Sequence, residues 1–253
     1  MSNHLRDKSI AEPWFGREGR IGLICVDSSR VIEGEFWAMV PAGVSIHSTR
    51  IYLPRVTVEG LNEMRVSEEL EKCTQLLAGV RPGSIIYGGT SVSFLEGSAT
   101  DQGLIERMAN ISNGIPCTTT TTAVVRALRT LGLKRIAVAT PYNDEINDRL
   151  AGYFNAAGFE IVSMKGERIE DPWEICERTP ETIFSHVKSA DVAEADGVFV
   201  SCADYRVGPV TDALEKELGK PVIGAIQASY WDAKRLAGIQ TQTEGWGSLV
   251  WEY

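Results

Sequence analysis

Short apolar runs rich in β-branched residues alternate with longer segments of helical period along the 253 residues. This alternation restricts the chain to an α/β architecture with mainly parallel sheets, because a parallel strand pair needs a helical crossover and buries both faces. Strands are expected near Arg20–Val26, Val44–Leu53, Ser84–Gly88, Ile115–Thr118, Arg135–Thr140, Glu160–Met164, Gly197–Ser201 and Pro221–Ala225. Helices are expected over Glu33–Met39, Val58–Leu77, Gln102–Asn110, Thr121–Thr130, Asp144–Ala157, Pro180–Ala190, Pro209–Leu218 and Ser229–Leu236. Gly79, Gly132, Gly158, Gly219 and Gly238 fall where those helices should stop.

The halves repeat weakly. Gly114-Ile115-Pro116-Cys117 matches Gly219-Lys220-Pro221-Val222 at an offset of 105, Ile85–Gly89 matches Val198–Cys202 at 113, and Ile21–Cys25 matches Ile136–Thr140 at 115. Three matches in one order point to duplication, with the drift absorbed in loops. Open parallel sheets bind ligands outside the carboxyl ends of their strands. If a pseudo-twofold axis relates the halves, Gly89 and Cys202 face each other over one cleft.

Composition narrows the partners. The net charge of −9 and the lack of a basic run argue against nucleic acid or an anionic membrane surface. Met1 to Trp14 is polar, with Arg6, Asp7 and Lys8 interrupting any apolar run, and reads as a loose leader instead of a signal peptide. No apolar stretch approaches the roughly 20 residues that span a bilayer. Cys25, Cys73, Cys117, Cys176 and Cys202 are scattered without CxxC spacing, as expected of reduced thiols in a cytoplasmic protein. With only His4, His47 and His186, a zinc site has little to build from.

Several strand ends carry groups with chemical potential, each with a plainer alternative. Gly88-Gly89-Thr90-Ser91 follows a strand and suits an anion, since N–H groups converge in such a turn, but it also suits a simple helix cap. Cys202 ends the run Gly197–Ser201, where a thiol can exchange one proton with a ligand or merely pack. Tyr142, in Thr140-Pro141-Tyr142-Asn143-Asp144, can bond a carboxylate through its hydroxyl, while Asn143 or Asp144 caps the next helix. The five hydroxyls of Thr118–Thr122 are equally open to a structural or a binding role. Arg30, in Asp27-Ser28-Ser29-Arg30, and Arg206 are the cations best placed to pair a second carboxylate.

Taken together, GGTSVSFLEG (Gly88–Gly97) and IPCTTTTTAVVRALRTLGLKRIAVATPYNDEINDRLAGYF (Ile115–Phe154) resemble the aspartate/glutamate racemase superfamily, most closely its arylmalonate decarboxylase branch. GVFVSCAD and GKPVIGAIQASYWDAKRLAGI extend the resemblance over most of the chain. Ala203-Asp204-Tyr205-Arg206 and IGLICVDSSRVIEGEFWAM (Ile21–Met39) are more similar to the maleate isomerase branch. The resemblance implies two pseudosymmetric α/β lobes with the active site in the cleft between them. Residues 15–118 with 228–253 would form the first lobe, and 119–227 the second.

It also implies roles. Superfamily racemases and isomerases place a cysteine at each of two facing positions, occupied here by Gly89 and Cys202, whereas decarboxylases keep only the second. Thr90, Ser91 and Tyr142 would hold two carboxylate oxygens, aided by N–H groups near Ser91 and Ala203, with Gly89, Ser28, Arg30 and Arg206 around the substrate and Cys202 donating a proton. The expected activity is cofactor-independent decarboxylation of a small substituted malonate through an enediolate, needing no metal, flavin, pyridoxal or thiamine. Isomerisation or racemisation of a small carboxylate through Cys202 is the alternative, and a non-catalytic binding module on the same fold is a third reading. Trp231, Trp246 and Trp251 are expected against the first lobe or at a homo-oligomer interface.

Overall fold

The computed structural model describes residues 16–253; the segment expected to be a leader lies outside the described residues. Strands β1 (Gly19–Val26), β2 (Val44–Ile51), β3 (Ser84–Gly88) and β4 (Cys117–Thr119) form one sheet in the order β2-β1-β3-β4. Strands β5 (Arg135–Thr140), β6 (Glu160–Gly166), β7 (Gly197–Val200) and β8 (Val222–Gly224) form a second, ordered β6-β5-β7-β8. Every pairing is parallel. The two orders are the same order, and the segments that repeat in sequence occupy the same place in each sheet: β1 with β5, β3 with β7, β4 with β8. Beyond their first residues the inner strands are buried, as in Val198-Phe199-Val200, which is why they read as apolar runs.

The helices flank these sheets. In the first half they are α1 (Val31–Met39), α2 (Val58–Val66), α3 (Glu69–Ala78), α4 (Thr90–Phe94), α5 (Ser98–Ile111) and α6 (Thr120–Thr130). In the second they are α7 (Asp144–Ala156), α8 (Pro172–Cys176), α9 (Pro180–Ala190), α10 (Thr211–Leu218), α11 (Ala225–Leu236) and α12 (Ser248–Glu252). No described helix is long and apolar enough to cross a membrane.

The helix expected over Val58–Leu77 is two helices. The backbone turns extended at Ser67, and Arg107 from α5 enters the break, donating to the carbonyls of Arg65 at 3.1 Å and Ser67 at 3.4 Å and to Glu71 at 2.7 Å. Three five-residue helices, α4, α8 and α12, escape a periodicity reading because each is barely one turn long. The start of α8 does carry a local signal: Asp171 accepts the Trp173 N–H at 2.9 Å and Pro172 takes the first turn.

Helices α6 and α11 follow the equivalent strands β4 and β8 and pack on one another, and α11 also packs on β3, β4 and α1 of the first half. Trp231 is fully buried on α11, whereas Trp251 is 41% exposed. The threonine run lies at this junction and is chiefly structural. Thr118 donates to Asp232 of α11 at 2.7 Å, Thr120 to the Tyr87 carbonyl at 3.3 Å and Thr121 to the Thr90 carbonyl at 3.1 Å. Thr119 and Thr122 donate to Asp101 at 2.5 and 2.7 Å, and Tyr153 of α7 adds a third hydroxyl at 2.9 Å. Burial raises the Asp101 pKa against the pull of those hydroxyls.

Asp101 thus joins α5, the start of α6 and α7. Removing it strands two buried donors, Thr119 and Tyr153, and the half-buried Thr122. Asp101→Ala is expected to lower unfolding stability by about 3–5 kcal/mol in a denaturant titration. A loss below about 1 kcal/mol contradicts that role.

Candidate active site

The carboxyl ends of both sheets converge on one cavity. Val26 reaches it from the tip of β1, Gly88 to Ser91 from the tip of β3, Tyr142 from beyond β5, and Cys202 to Asp204 from beyond β7. Leu53 and Val56 roof it from the first half, and Pro172 and Ile175 of α8 from the second. These two roof segments are clipped together, with Val56 donating its N–H to the Glu170 carbonyl at 2.9 Å and Arg55 pairing Glu170 at 2.9 Å. Its free space is narrow, about 20 Å³, and it stays partly open to the surface.

One wall is built of hydrogen-bond donors. Strand β3 delivers Gly88 under Ile32 and the Ile24 carbonyl, where an added Cβ would lie 2.7 Å from Ile32 Cδ1 and 3.2 Å from that oxygen. A side chain there would force the end of Ile32 to shift. Gly89 has ordinary extended torsions, φ −131° and ψ 95°, and no side chain caps the helix it begins, leaving the first N–H groups of α4 without a capping side chain. Thr90 and Ser91 are buried, and Thr90 Oγ1 has no hydrogen-bond partner among the described residues. A buried hydroxyl without a partner costs stability, so its retention at a cavity wall fits a ligand's oxygen. Tyr142 is 1% exposed and lines the cavity with Ser91 and Cys202. Burial, reinforced by Cys202, raises the Tyr142 pKa far above the phenol range, so it stays a donor.

Cys202 faces this wall. Its φ is 107°, a left-handed value that is unusual for a residue with a side chain and costs about 1–3 kcal/mol. The following loop is pinned: Tyr205 is fully buried and donates its hydroxyl to Glu167 at 2.6 Å. The sulfur accepts the Asp204 N–H at 3.4 Å. Burial first, then the nearby Asp204 charge, pushes the thiol's pKa well above its usual range, so at neutral pH Cys202 is a thiol, the proton-bearing form.

Asp204, which sequence reasoning left unassigned, lies in the same cavity at 7% exposure. It accepts the Ser29 hydroxyl, and the Cys176 thiol lies against it. Burial raises its pKa to about 6 against the lowering by Ser29 and Cys176, so it is mostly ionised at pH 7. Ser29 is held in place by Arg50, which donates to the carbonyls of Ser29 at 2.7 Å and Asp27 at 3.0 Å.

The two expected cations do not join the cavity. Arg30 pairs with Glu177 and stacks 3.8 Å over Trp173, both on the far side of α8. Arg206 lines a separate outer cleft with Arg30, Glu35 and Trp246. The reason is local: the positive φ at Cys202 and the burial of Tyr205 turn the next side chain outward, and Arg30 caps α1 from the surface. Ser28 stands beside the site, with its hydroxyl buried and unpartnered among the described residues and its carbonyl 4.0 Å from the Cys176 sulfur. Thr90, Ser91, Tyr142, Gly89, Ala203 and Cys202 are brought together as expected. The apolar roof was not foreseen, because Leu53, Val56, Pro172 and Ile175 lie in loops and a one-turn helix. Among the described residues no three His, Cys, Asp or Glu side chains cluster as a metal site would require.

Known proteins share this arrangement. A maleate isomerase from Geobacillus stearothermophilus is 27% identical over 91% of this chain and 96% of its own length. An arylmalonate decarboxylase from Bordetella bronchiseptica is 34% identical over 64% of this chain and 68% of its own. Among solved structures, a mutant Nocardia farcinica maleate cis-trans isomerase with a covalently bound succinylcysteine intermediate superposes with a TM-score of 0.87 at 26% identity, over 93% of this chain and 99% of that one. The model of the arylmalonate decarboxylase family matches residues 21–250. With a match across nearly the whole of both sheets, the chain belongs to the arylmalonate decarboxylase family, whose fold it shares with the maleate isomerases.

Proposed function

We propose that the cavity decarboxylates a small substituted malonate without a cofactor. The observation that carries this reading is a single protonated thiol, Cys202, set across from a wall of neutral donors under an apolar roof that no cation lines. One carboxylate of the substrate sits against Thr90, Ser91 and the Tyr142 hydroxyl, and the other lies under Leu53, Val56, Pro172 and Ile175. The bond to the second carboxyl carbon breaks, CO₂ leaves, and its electron pair passes through the α-carbon into the first carboxylate as an enediolate. Each donor aimed at those oxygens gains as charge develops, typically about 3–4 kcal/mol for a well-placed one. The Cys202 thiol then gives its proton to the α-carbon, and the resulting thiolate recovers one from water. The apolar roof leaves the departing carboxylate without a partner, which favours loss of its charge.

Cis-trans isomerisation is the second reading, favoured by the maleate isomerase relatives and by the succinylcysteine found in one of them. That chemistry needs a thiolate to attack an alkene and a place for two persistent carboxylates. Here the thiol is held protonated, and Asp204 would repel a second carboxylate. Racemisation between two facing thiols finds only one, because Gly89 holds the other position.

Incubation with methyl-substituted malonates in D₂O is expected to release CO₂ and place one deuterium on the product's α-carbon, with Cys202→Ser losing at least about 100-fold in kcat at unchanged Tm. Conversion of maleate to fumarate instead establishes the isomerase reading, and stabilisation by these acids without turnover establishes a binding module. Burial disfavours the thiolate, so alkylation of Cys202, followed on its own peptide by mass spectrometry, is expected to be slow at pH 7.5. It should climb about tenfold per pH unit, without levelling, through pH 9. A plateau reached by pH 7 contradicts the proton-donor role.

A further inference from the structure

The pseudo-twofold axis gives the cavity two half-sites built from equivalent positions, and their chemistries are opposite. Ser91 stands two residues beyond Gly89, and Asp204 two residues beyond Cys202, at the same offset of 113 that relates β3 to β7. Ser91 lines the cavity together with Tyr142, from the loop after β5. Asp204 meets the hydroxyl of Ser29, from the loop after the equivalent strand β1. One half offers neutral donors and suits an anion. The other presents a carboxylate.

We infer that Asp204 sets the substrate class of this site, selecting a malonate whose α-substituent is a compact hydrogen-bond donor, an amino or hydroxyl group, over one with an alkyl or aryl group. The inference rests on the decarboxylase reading above. An ionised carboxylate can accept about four hydrogen bonds, and Asp204, more than nine-tenths buried, receives the Ser29 hydroxyl and a weak thiol contact. The residues beside it in the cavity, Val26, Ala203 and Ile175, have no polar side chain to supply the rest. Arg50 and Arg30 act on its charge from outside, but no lysine or arginine lines the cavity itself, so on the cavity side Asp204 is open to a donor from a ligand. An alkyl or aryl group in that place would cover a charge with hydrocarbon and leave it unsatisfied. An amino group, protonated at neutral pH, pairs the Asp204 charge, and a hydroxyl gives the same geometry without the ion pair.

The test is an isosteric series, aminomalonate, hydroxymalonate and methylmalonate, with phenylmalonate as the aryl member, measured for CO₂ release above an enzyme-free blank. The wild-type protein is expected to favour the amino and hydroxy acids over methylmalonate by at least about tenfold in kcat/KM. Asp204→Leu is expected to reverse that order. Asp204→Asn, which keeps an acceptor for Ser29, should fold with an unchanged Tm and lose the preference for amino over hydroxy while retaining hydroxy over methyl. Equal or better turnover of methylmalonate or phenylmalonate by the wild type overturns the inference and leaves the decarboxylase reading standing. Absence of CO₂ from every malonate removes that reading and the inference together.

Discussion

Two parallel sheets share one cavity only when their carboxyl edges are held facing each other, and a buried polar joint holds them here. Asp101 gathers hydroxyls from Thr119, Thr122 and Tyr153, while Asp232 takes Thr118 and Arg126. These bonds tie α5, α6, α7 and α11 where the halves meet. Apolar contact alone is non-directional and would leave the relative orientation loosely set. Buried, satisfied polar networks specify one arrangement, because any slip leaves carboxylates and hydroxyls unpaired. The position of Cys202 relative to Thr90, Ser91 and Tyr142 depends on that joint.

Within the cavity, burial decides the chemistry. The same desolvation that keeps Cys202 protonated leaves Thr90 with an unpartnered hydroxyl and Asp204 with spare acceptor capacity. Each is a local cost, as is the left-handed backbone at Cys202. Collected on one small surface, these features support the proposed recognition: Thr90 offers an unpartnered hydroxyl to a carboxylate oxygen, and Asp204, which already takes the Ser29 hydroxyl, keeps acceptor capacity for the α-substituent. Burial makes those interactions stronger than they would be in solvent.

Much of this was legible in the sequence. Buried inner strands such as Ile85-Ile86-Tyr87 are unbroken apolar runs, and the repeat linking Gly89 to Cys202 anticipated their equivalent places in the two sheets. The glycine turn, Tyr142 and Cys202 were legible because strand ends are where an α/β sheet exposes chemistry. Arg30 and Arg206 were misplaced because sequence gives no side-chain direction after a strand: the torsion at Cys202 and the Glu177 partner of Arg30 decide it. Asp204 was overlooked since an acid in a polar stretch is ordinarily solvated, and only tertiary packing buries it. The roof residues lie in loops, and α8 is too short for a periodic signal, although Asp171-Pro172 marks its start.

The account's central claim is that a carboxylate's two oxygens lodge against Thr90, Ser91 and Tyr142 with its α-carbon presented to the Cys202 sulfur. A crystal structure with a small planar hydroxamate, a mimic of the enediolate, measures this most directly. The expected result is both oxygens within hydrogen-bond distance of the Thr90, Ser91 and Tyr142 hydroxyls and the adjacent carbon about 3–3.5 Å from the Cys202 sulfur. A hydroxamate seated instead in the outer cleft on Arg206, with the inner cavity empty, contradicts it.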